Sequence, residues 1–305
     1  MSKALDGVVD LLDLEQIELD IFRGRSPANE RRLRVFGGQV AGQALVAAGR
    51  TVPADRPVHS LHAYFIRPGD PAAPLVYLVE RVRDGRSFTT RRVSVVQHGK
   101  TIFTLSASFH RTEPGVEHAE PMPDVPRPEG LEPAAQRYQR VFGPDAAEFF
   151  RDSPIDVRHV GPLTIEAAAD PALRTSRSRV WLRADGELPD DPLLHVCLMT
   201  YASDMTLLDS VMLATGQTFM DGSTEAASLD HAMWFHRPFR ADRWLLYAQE
   251  SPVAASARGL ARGEVFTAEG DLVCSVVQEG LIRTDPADSG LGPEGSGTRT
   301  NARSE

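Results

Sequence analysis

Asp204 is the residue whose position most needs a chemical explanation. It stands in YASDMTLLDSVML, residues 201 to 213, a run that is otherwise mostly apolar and therefore indicates burial. A carboxylate that loses its hydration is tolerated only where hydrogen-bond donors surround it or where its pKa is raised. Two interpretations stay open: a functional carboxylate, or a capping or salt-bridged one if the run ends near Ser203. Asp209, further along, fits the second interpretation better.

Two further polar side chains could face the same cavity. Ser228 opens SLDHAMWFH, immediately before an aromatic-rich strand, although this position also suits a turn or capping serine. Gln278 lies in LVCSVVQEGLIR, where period-two alternation puts it on one strand face with Val276 and Gly280. A coincidental edge residue is the alternative for Gln278. The other polar and aromatic residues of the strand after Ser228 are interpreted as core or interface residues: His231, Trp234, His236 and Arg237.

The elements that would position these side chains follow from hydrophobic periodicity. Residues 7 to 16 have helical spacing, and GGQVAGQALVAAGR, residues 37 to 50, is typical of a buried helix built on small residues. Gly37 and Gly38 lie at the amino end of that helix. From 58 to 110, four alternating stretches predict an antiparallel sheet, with HGK as a hairpin turn between the last two.

A similar pattern follows in the second half. Residues 111 to 131 are rich in Pro and acidic residues, which indicates a linker. A short helical stretch near 133 to 151 comes next, then two strands, a long helical run from 192 and four more strands. The final residues, 286 to 305, are small, polar and Gly-rich, and we expect them to form a disordered tail.

The two halves resemble each other at a nearly constant offset. HAYFIRP at 62 to 68 matches AMWFHRP at 232 to 238, an offset of 170 residues. This predicts an internal repeat of one helix-plus-sheet unit, with chance similarity between amphipathic strands as the alternative. Gln278 has Ala107 as its counterpart, at an offset of 171. An amide in one copy only is the asymmetry expected if one copy holds a site.

Several sequence stretches match part of a known motif but lack a residue or a flanking element that the motif requires. GLGPEG, residues 290 to 295, matches a dinucleotide-binding fingerprint but lies in the tail without a strand before it or a helix after it. SVVQHGKT, residues 94 to 101, lacks the first glycine of a phosphate loop and is interpreted as a hairpin. The sequence contains neither a G-x-S-x-G nucleophile elbow nor an H-E-x-x-H zinc motif, so we expect no metal and no cofactor.

Composition and charge limit the possible binding partners and the cellular compartment. The sequence has 33 basic and 42 acidic residues, a net charge of −9, which argues against a nucleic-acid surface. Cys197 and Cys274 lie in apolar surroundings without metal-ligand spacing and indicate buried thiols in a reducing compartment. The apolar run 193 to 213 contains His195 and two aspartates, so it does not predict a membrane span. We expect a cytoplasmic protein without a membrane partner.

Six segments, in order, resemble the type II acyl-CoA thioesterases, a family of TesB-like bacterial enzymes with peroxisomal relatives. They fall within residues 5 to 284 and read VFGGQVAGQAL, HSLHAYFIRPGD, RDGRSFTTRRVSVVQHGKTIFTLSASF, YASD, LDHAMWFHRPF and SARGLARGEVFTAEGDLVCSVVQEG. The relatives sent to peroxisomes carry a Ser-Lys-Leu-like terminal signal, whereas this sequence ends in ARSE, so we expect that this address does not apply.

The resemblance implies an α+β double hotdog fold, in which two tandem repeats each wrap an antiparallel sheet around a long helix. It divides the chain into an N-terminal hotdog (1–112), a linker with a short helix (113–155), a C-terminal hotdog (156–285) and the tail (286–305). Hotdog proteins commonly form dimers or tetramers, so the resemblance also implies a homo-oligomer.

The family's functional residues are an Asp, a Thr and a Gln, which fall on Asp204, Ser228 and Gln278. Serine keeps the hydroxyl of the family's threonine but loses the methyl group that restricts its rotamer. The implied mechanism has Asp204 as general base for a water that Ser228 and Gln278 orient toward the thioester carbonyl. A weaker hypothesis gives the developing oxyanion to the backbone N–H groups of Gly37 and Gly38 at a helix amino end.

The implied substrate is a medium- to long-chain fatty acyl-CoA, hydrolysed to the free fatty acid and CoA. Two alternatives keep the fold: an enoyl-CoA hydratase or dehydratase, and a non-catalytic acyl-CoA-binding protein. Those hydratases pair an Asp with a nearby His, and the sequence after Asp204 offers none within several residues. A purely structural homo-oligomer would leave the Asp, Ser and Gln coincidence unexplained.

Overall fold

A computed structural model describes residues 2–27, 33–143, 153–219 and 222–284. In this part of the chain, 13 antiparallel strands form one continuous sheet around two buried helices. The helices are α1 (Lys3–Leu12), α2 (Gly37–Gly49), α3 (Ala134–Phe142), α4 (Thr164–Ala169), α5 (Pro192–Ser203) and α6 (Asp209–Thr215). The strands of the first half are β1 (Glu15–Glu18), β2 (Ile21–Gly24), β3 (Val58–Phe65), β4 (Leu75–Asp84), β5 (Phe88–Gln97) and β6 (Lys100–His110). Those of the second half are β7 (Ile155–His159), β8 (Arg177–Ala184), β9 (Glu225–Ser228), β10 (Asp230–Phe235), β11 (Leu245–Ala255), β12 (Arg258–Thr267) and β13 (Leu272–Arg283).

The two halves of the sheet join at β3 and β10. The strand order is β1-β2-β4-β5-β6-β3-β10-β13-β12-β11-β8-β7, and β9 pairs with β13 beside this path. At the join, Leu61 lies opposite Met233 and Ala63 lies opposite His231. The predicted α+β double hotdog is therefore confirmed, and both halves share one sheet. The domain boundaries at 112 and 155 stay a prediction.

Helices α2 and α5 pack side by side in opposite directions, and the small residues of α2 allow the close approach. A Cβ atom at Gly38 would lie 2.2 Å from the Tyr201 carbonyl oxygen, and one at Gly42 would lie 3.1 Å from that of Cys197. At the other end, Gly49 faces the Leu193 side chain. The amino end of α2 consequently meets the carboxyl end of α5.

The long helical run predicted from residue 192 is wrong as one helix. Helix α5 ends at Ser203, turns follow, and α6 begins at Asp209. Apolar periodicity alone does not separate one long helix from two short ones. The hairpin of β1 and β2 was not predicted because each strand has only four residues; β1 is exposed throughout, whereas β2 buries Phe22 and Gly24. Helix α1 lies earlier than the predicted 7 to 16, and the Ser2 hydroxyl accepts from Leu5 N at 3.2 Å to cap it.

The described residues cover part of the predictions made for the linker, the tail, the cysteines and a membrane span. Residues 111–127 contain no helix or strand, as a linker should. The predicted tail and residues 144–151 of the short helical stretch lie outside the described residues. Cys197 and Cys274 are buried free thiols. Among the described helices, none has both the length and the apolar character needed to cross a bilayer.

The two halves differ in the polar groups buried at equivalent sheet positions. In the second half, Gln278 of β13 lies between His231 of β10 and Ala261 of β12. The corresponding residues of the first half, at offsets of 170 or 171, are Ala107, Leu61 and Arg91. The buried polar group of the first half is therefore a guanidinium, on the strand that carries alanine in the second half.

Arg91, the buried charged residue of the first half, is held by several hydrogen bonds and one ion pair. Its guanidinium donates to the Thr51 hydroxyl at 2.8 Å, the Thr51 carbonyl at 3.0 Å and the Arg83 carbonyl at 3.2 Å. It also forms an ion pair with the half-exposed carboxylate of Asp84 at 2.7 Å. A buried charge held by this many acceptors is a structural group.

We expect Arg91→Ala to lower the free energy of unfolding by about 3–5 kcal/mol, because it removes a buried charge and leaves its acceptors unpaired. Denaturant unfolding measures this change. Arg92→Ala is the matched control on the same strand and should cost less than about 1 kcal/mol, since Arg92 and its ion-pair partner Glu80 are exposed. An Arg91→Ala protein as stable as the parent would contradict the assigned role.

Candidate active site

Asp204, Ser228 and Gln278 come together in one hydrogen-bonded group. The Ser228 hydroxyl donates to Asp204 Oδ1 at 2.8 Å. Gln278 Nε2 donates to the same oxygen at 3.0 Å and to Ser228 Oγ at 2.6 Å. Gln278 is fully buried, whereas Asp204 and Ser228 are partly accessible. The three predicted residues thus form a closed triangle with one carboxylate oxygen at its apex.

A β-bulge places the Ser228 hydroxyl. Ser228 of β9 lies opposite Gly280, but the pairing of β10 with the same strand is shifted by one residue. The extra residue is Leu229, whose N–H donates to the Glu279 carbonyl at 2.9 Å. Without the bulge, Leu229 would take the place opposite Gly280, on the face that carries Gln278. Bulges commonly re-aim a side chain beside a functional site.

Asp204 lies where the ends of the two central helices meet. It is the C-cap residue of α5, where the helix dipole disfavours a negative charge, but the amino end of α2 faces it and favours one. The Gly38 N–H donates a hydrogen bond to the carboxylate. A Cβ at Gly37 would lie 2.6 Å from Asp204 Oδ2 and 2.8 Å from the Phe65 ring. The close approach therefore requires glycine, and the first half contributes to the site.

Burial and hydrogen bonding act in opposite directions on this carboxylate. Burial raises the pKa of Asp204 above its ordinary value. Hydrogen bonds from Ser228, Gln278 and the Gly38 amide act to lower that pKa, as a positive charge on His231 would when the imidazole is protonated. Burial also lowers the pKa of His231, which favours a neutral imidazole. A carboxylate with a raised pKa that still has donors can accept a proton and then return it.

His231 and Ser203 belong to the same network, a role that the sequence does not predict. His231 is buried, as a core residue should be, but its Nδ1 lies 2.7 Å from Gln278 Oε1 and its Nε2 lies 2.8 Å from Ser203 Oγ. Alternation along SLDHAMWFH does place His231 on the buried face with Met233. Only the register of β10 against β13 shows that it lies beside Gln278.

The predicted oxyanion residues, Gly37 and Gly38, lie at the amino end of α2 and face the site. The Gly38 N–H is directed to the Asp204 carboxylate. An oxyanion role for these amides stays a prediction. Among the residues that the structure describes, no group of His, Cys, Asp and Glu could hold a metal ion.

A cavity of about 540 Å³ lies further along β13 and does not include the three polar residues. It lies between α6 and the ends of β11, β12 and β13, and its lining includes apolar residues such as Val211, Ala254 and Ile282 as well as polar ones such as Gln217 and Arg258. Ile282 is on the same strand face as Gln278, four residues away, which corresponds to roughly 13 Å along an extended strand.

Comparison with known families matches most of the chain in two parts. The description "Acyl-CoA thioesterase" matches residues 171–281, and "Acyl-CoA thioesterase N-terminal domain" matches residues 25–110. Acyl-coenzyme A thioesterase 8 of Mus musculus is 41% identical over 295 residues, covering 92% of this chain and 89% of the relative. Acyl-CoA thioesterase 2 of Haemophilus influenzae is 38% identical over 287 residues, covering 93% and 99%.

Solved structures with the same fold also resemble the chain. The acyl-CoA thioesterase II TesB2 of Mycobacterium marinum has 44% identity and a TM-score of 0.75, covering 92% of this chain and 98% of the other. A tesB protein of Mycobacterium avium subs paratuberculosis has 32% identity and a TM-score of 0.75, covering 92% and 99%.

If the Asp204 carboxylate is the base, kcat/KM should fall at low pH as this group is protonated. Ser228→Ala removes a hydrogen-bond donor to the ionised carboxylate, so it should raise the pKa of Asp204. The acidic limb of the pH profile, where kcat/KM falls, should then move to higher pH. We expect the plateau rate to fall about 10-fold as well. The measurement is the pH dependence of kcat/KM. Ser228→Thr keeps the donor and should leave the limb in place; an unmoved limb in Ser228→Ala would contradict the assignment.

Proposed function

The chain belongs to the acyl-CoA thioesterase family, and we propose that it hydrolyses medium- to long-chain fatty acyl-CoA with a water that Asp204, Ser228 and Gln278 hold and activate. The observation that carries this proposal is the hydrogen-bonded triangle, because all three predicted groups share one carboxylate oxygen. Their accessible side is formed by Asp204 and Ser228, which are partly exposed.

In the proposed reaction, Asp204 accepts a proton while the water oxygen forms a bond to the thioester carbonyl carbon. Ser228 and Gln278 occupy Oδ1 and fix the direction of the carboxylate, so the water binds through the remaining lone pairs. The tetrahedral intermediate then breaks its C–S bond, and the proton held by Asp204 passes to the departing CoA sulfur. The products are the fatty acid and CoA, and Asp204 is ionised again.

The oxyanion of the intermediate needs N–H donors that face the carbonyl oxygen. We assign this role to the amino end of α2, where Gly37 is partly exposed and Gly38, although buried against α5, directs its N–H at the site. The Gly38 amide would contact Asp204 and the substrate alternately or together. The partial positive charge of this helix end supports a negative charge on either partner.

The buried position of His231 favours thioester hydrolysis over the hydratase alternative. A hydratase of this fold needs an imidazole that reaches the substrate together with the carboxylate. His231 does lie near Asp204, but it is 1% exposed and both ring nitrogens are within hydrogen-bond distance of protein atoms. It therefore acts on Gln278 and Ser203.

We place the end of the acyl chain in the cavity beside Ile282. A thioester carbon at Gln278 would be separated from this cavity by the length of about ten methylene groups, which fits a medium to long chain. Each methylene buried on the way contributes about 0.8 kcal/mol to binding. The buried free thiols of Cys197 and Cys274 suit the cytoplasm, where we propose the enzyme acts as a homo-oligomer.

Asp204→Asn should lower the rate of thiol release from acyl-CoA by about 10²-fold or more, because the amide cannot accept the proton. Asp209→Asn is the matched control: burial raises the pKa of Asp209 to about 7, yet this residue is outside the triangle, so its rate should not change. Both rates are taken per folded molecule. Equal rates for Asp204→Asn and the parent would contradict the mechanism, and binding without turnover in the parent would support the non-catalytic alternative.

Ile282→Trp should shift the preference toward shorter acyl chains, because the larger side chain fills the cavity. The measurement is kcat/KM for a series of saturated acyl-CoA substrates, with the short-chain rate as the internal control for folding. An unchanged chain-length profile would show that the acyl chain takes another path.

A further inference from the structure

We propose that His231 is a positioning residue for thioester hydrolysis: it donates from Nδ1 to Gln278 Oε1 and so turns the Gln278 amide nitrogen toward Asp204 and Ser228. This inference rests on the proposed function. The Nδ1 to Oε1 distance is 2.7 Å, and both side chains are almost completely buried. No other contact described for Gln278 Oε1 would fix the amide in this orientation.

The orientation of the Gln278 amide decides whether its contacts with Asp204 and Ser228 are attractive or repulsive. With Nε2 toward Asp204 and Ser228, its two N–H groups meet a carboxylate oxygen and a hydroxyl oxygen at 3.0 Å and 2.6 Å. The reversed amide would place Oε1 against the carboxylate oxygen, which is repulsive and removes a donor from the ionised base. An acceptor opposite Nδ1 requires a proton on Nδ1, so His231 selects the productive orientation.

The other ring nitrogen connects the same imidazole to the helix that carries Asp204. His231 Nε2 lies 2.8 Å from the hydroxyl of Ser203, the last residue of α5. Burial favours the neutral imidazole, so Nε2 is an acceptor when Nδ1 holds the ring proton. The Ser203 hydroxyl then donates to Nε2 rather than to the Thr200 carbonyl, which lies 2.9 Å from the same oxygen. His231 thereby joins β13, which carries the amide, to the end of α5, which carries the carboxylate.

The first half provides an internal comparison. Its residue at the position of His231 is Leu61, which lies beside Ala107, so a half without the amide also lacks the imidazole. The pair His231 and Gln278 occurs together in the half that contains Asp204. In the first half, Leu61 shows that a leucine is sufficient for a purely structural role at this buried strand position.

The test is a double-mutant cycle on kcat and KM. His231→Leu introduces the side chain of the first half and should lower kcat about 10- to 100-fold with little change in KM, because the amide loses its fixed orientation. His231→Asn keeps an N–H donor near the Nδ1 position and should stay within about fivefold of the parent. His231→Gln places its amide toward Ser203 and should behave like His231→Leu.

The decisive arm repeats His231→Leu in a Gln278→Ala background. If His231 acts through Gln278, the second substitution should change kcat less than about twofold there. His62→Leu, the same change at an exposed histidine of β3, is the matched control and should leave kcat unchanged. Folded fractions are compared by near-UV circular dichroism, and the Asn and Gln variants keep the test decisive if leucine prevents folding.

Three outcomes would overturn the proposal. His231→Leu could lower kcat equally in both backgrounds, or His231→Asn could be no better than His231→Gln; either would show a role that does not pass through the Gln278 amide, while the proposed function stands. Full activity in Gln278→Ala would remove Gln278 from the mechanism, and the positioning role of His231 would fail with it.

Discussion

The arrangement depends on one carboxylate held at the meeting point of two antiparallel helices. Asp204 ends α5, in the unfavourable field of that helix, and is stabilised there by the amino end of α2 and by two side-chain donors from the sheet. These donors come from both halves of the chain. The joined sheet, the glycine-rich α2 and the bulge at Leu229 all bring donors within reach of a charge that would otherwise be costly to bury.

The duplicated architecture buries a different polar side chain in each half, on strands that are not counterparts of each other. In one half, the buried Arg91 guanidinium is satisfied by hydrogen bonds to Thr51 and the Arg83 carbonyl and by an ion pair with Asp84. In the other, Gln278 is held by His231 and turns its donors toward a partly accessible carboxylate. Among the described residues, the hydrogen-bonded carboxylate lies in the second half, and α2 of the first half packs against it.

The periodicity of the sequence predicted most of the sheet, helix α2 and the buried face of β13, because each element is long and strongly patterned. It also identified Asp204, Ser228 and Gln278, although their shared role came from the family resemblance. It could not locate the end of α5, since the turn after Ser203 is as apolar as a helix. It could not reveal the part of His231, because that depends on the register of β10 against β13, which leaves no local signal in the sequence.

The most direct test of direct water attack is a single turnover with enzyme in excess over acyl-CoA in H₂¹⁸O, followed by mass spectrometry of the fatty acid and of the peptide containing Asp204. The account predicts one ¹⁸O atom in the fatty acid from the first turnover and none in Asp204, because the carboxylate takes only a proton. An unlabelled first-turnover fatty acid with ¹⁸O in Asp204 would show that the carboxylate attacks the thioester itself, and would contradict the account.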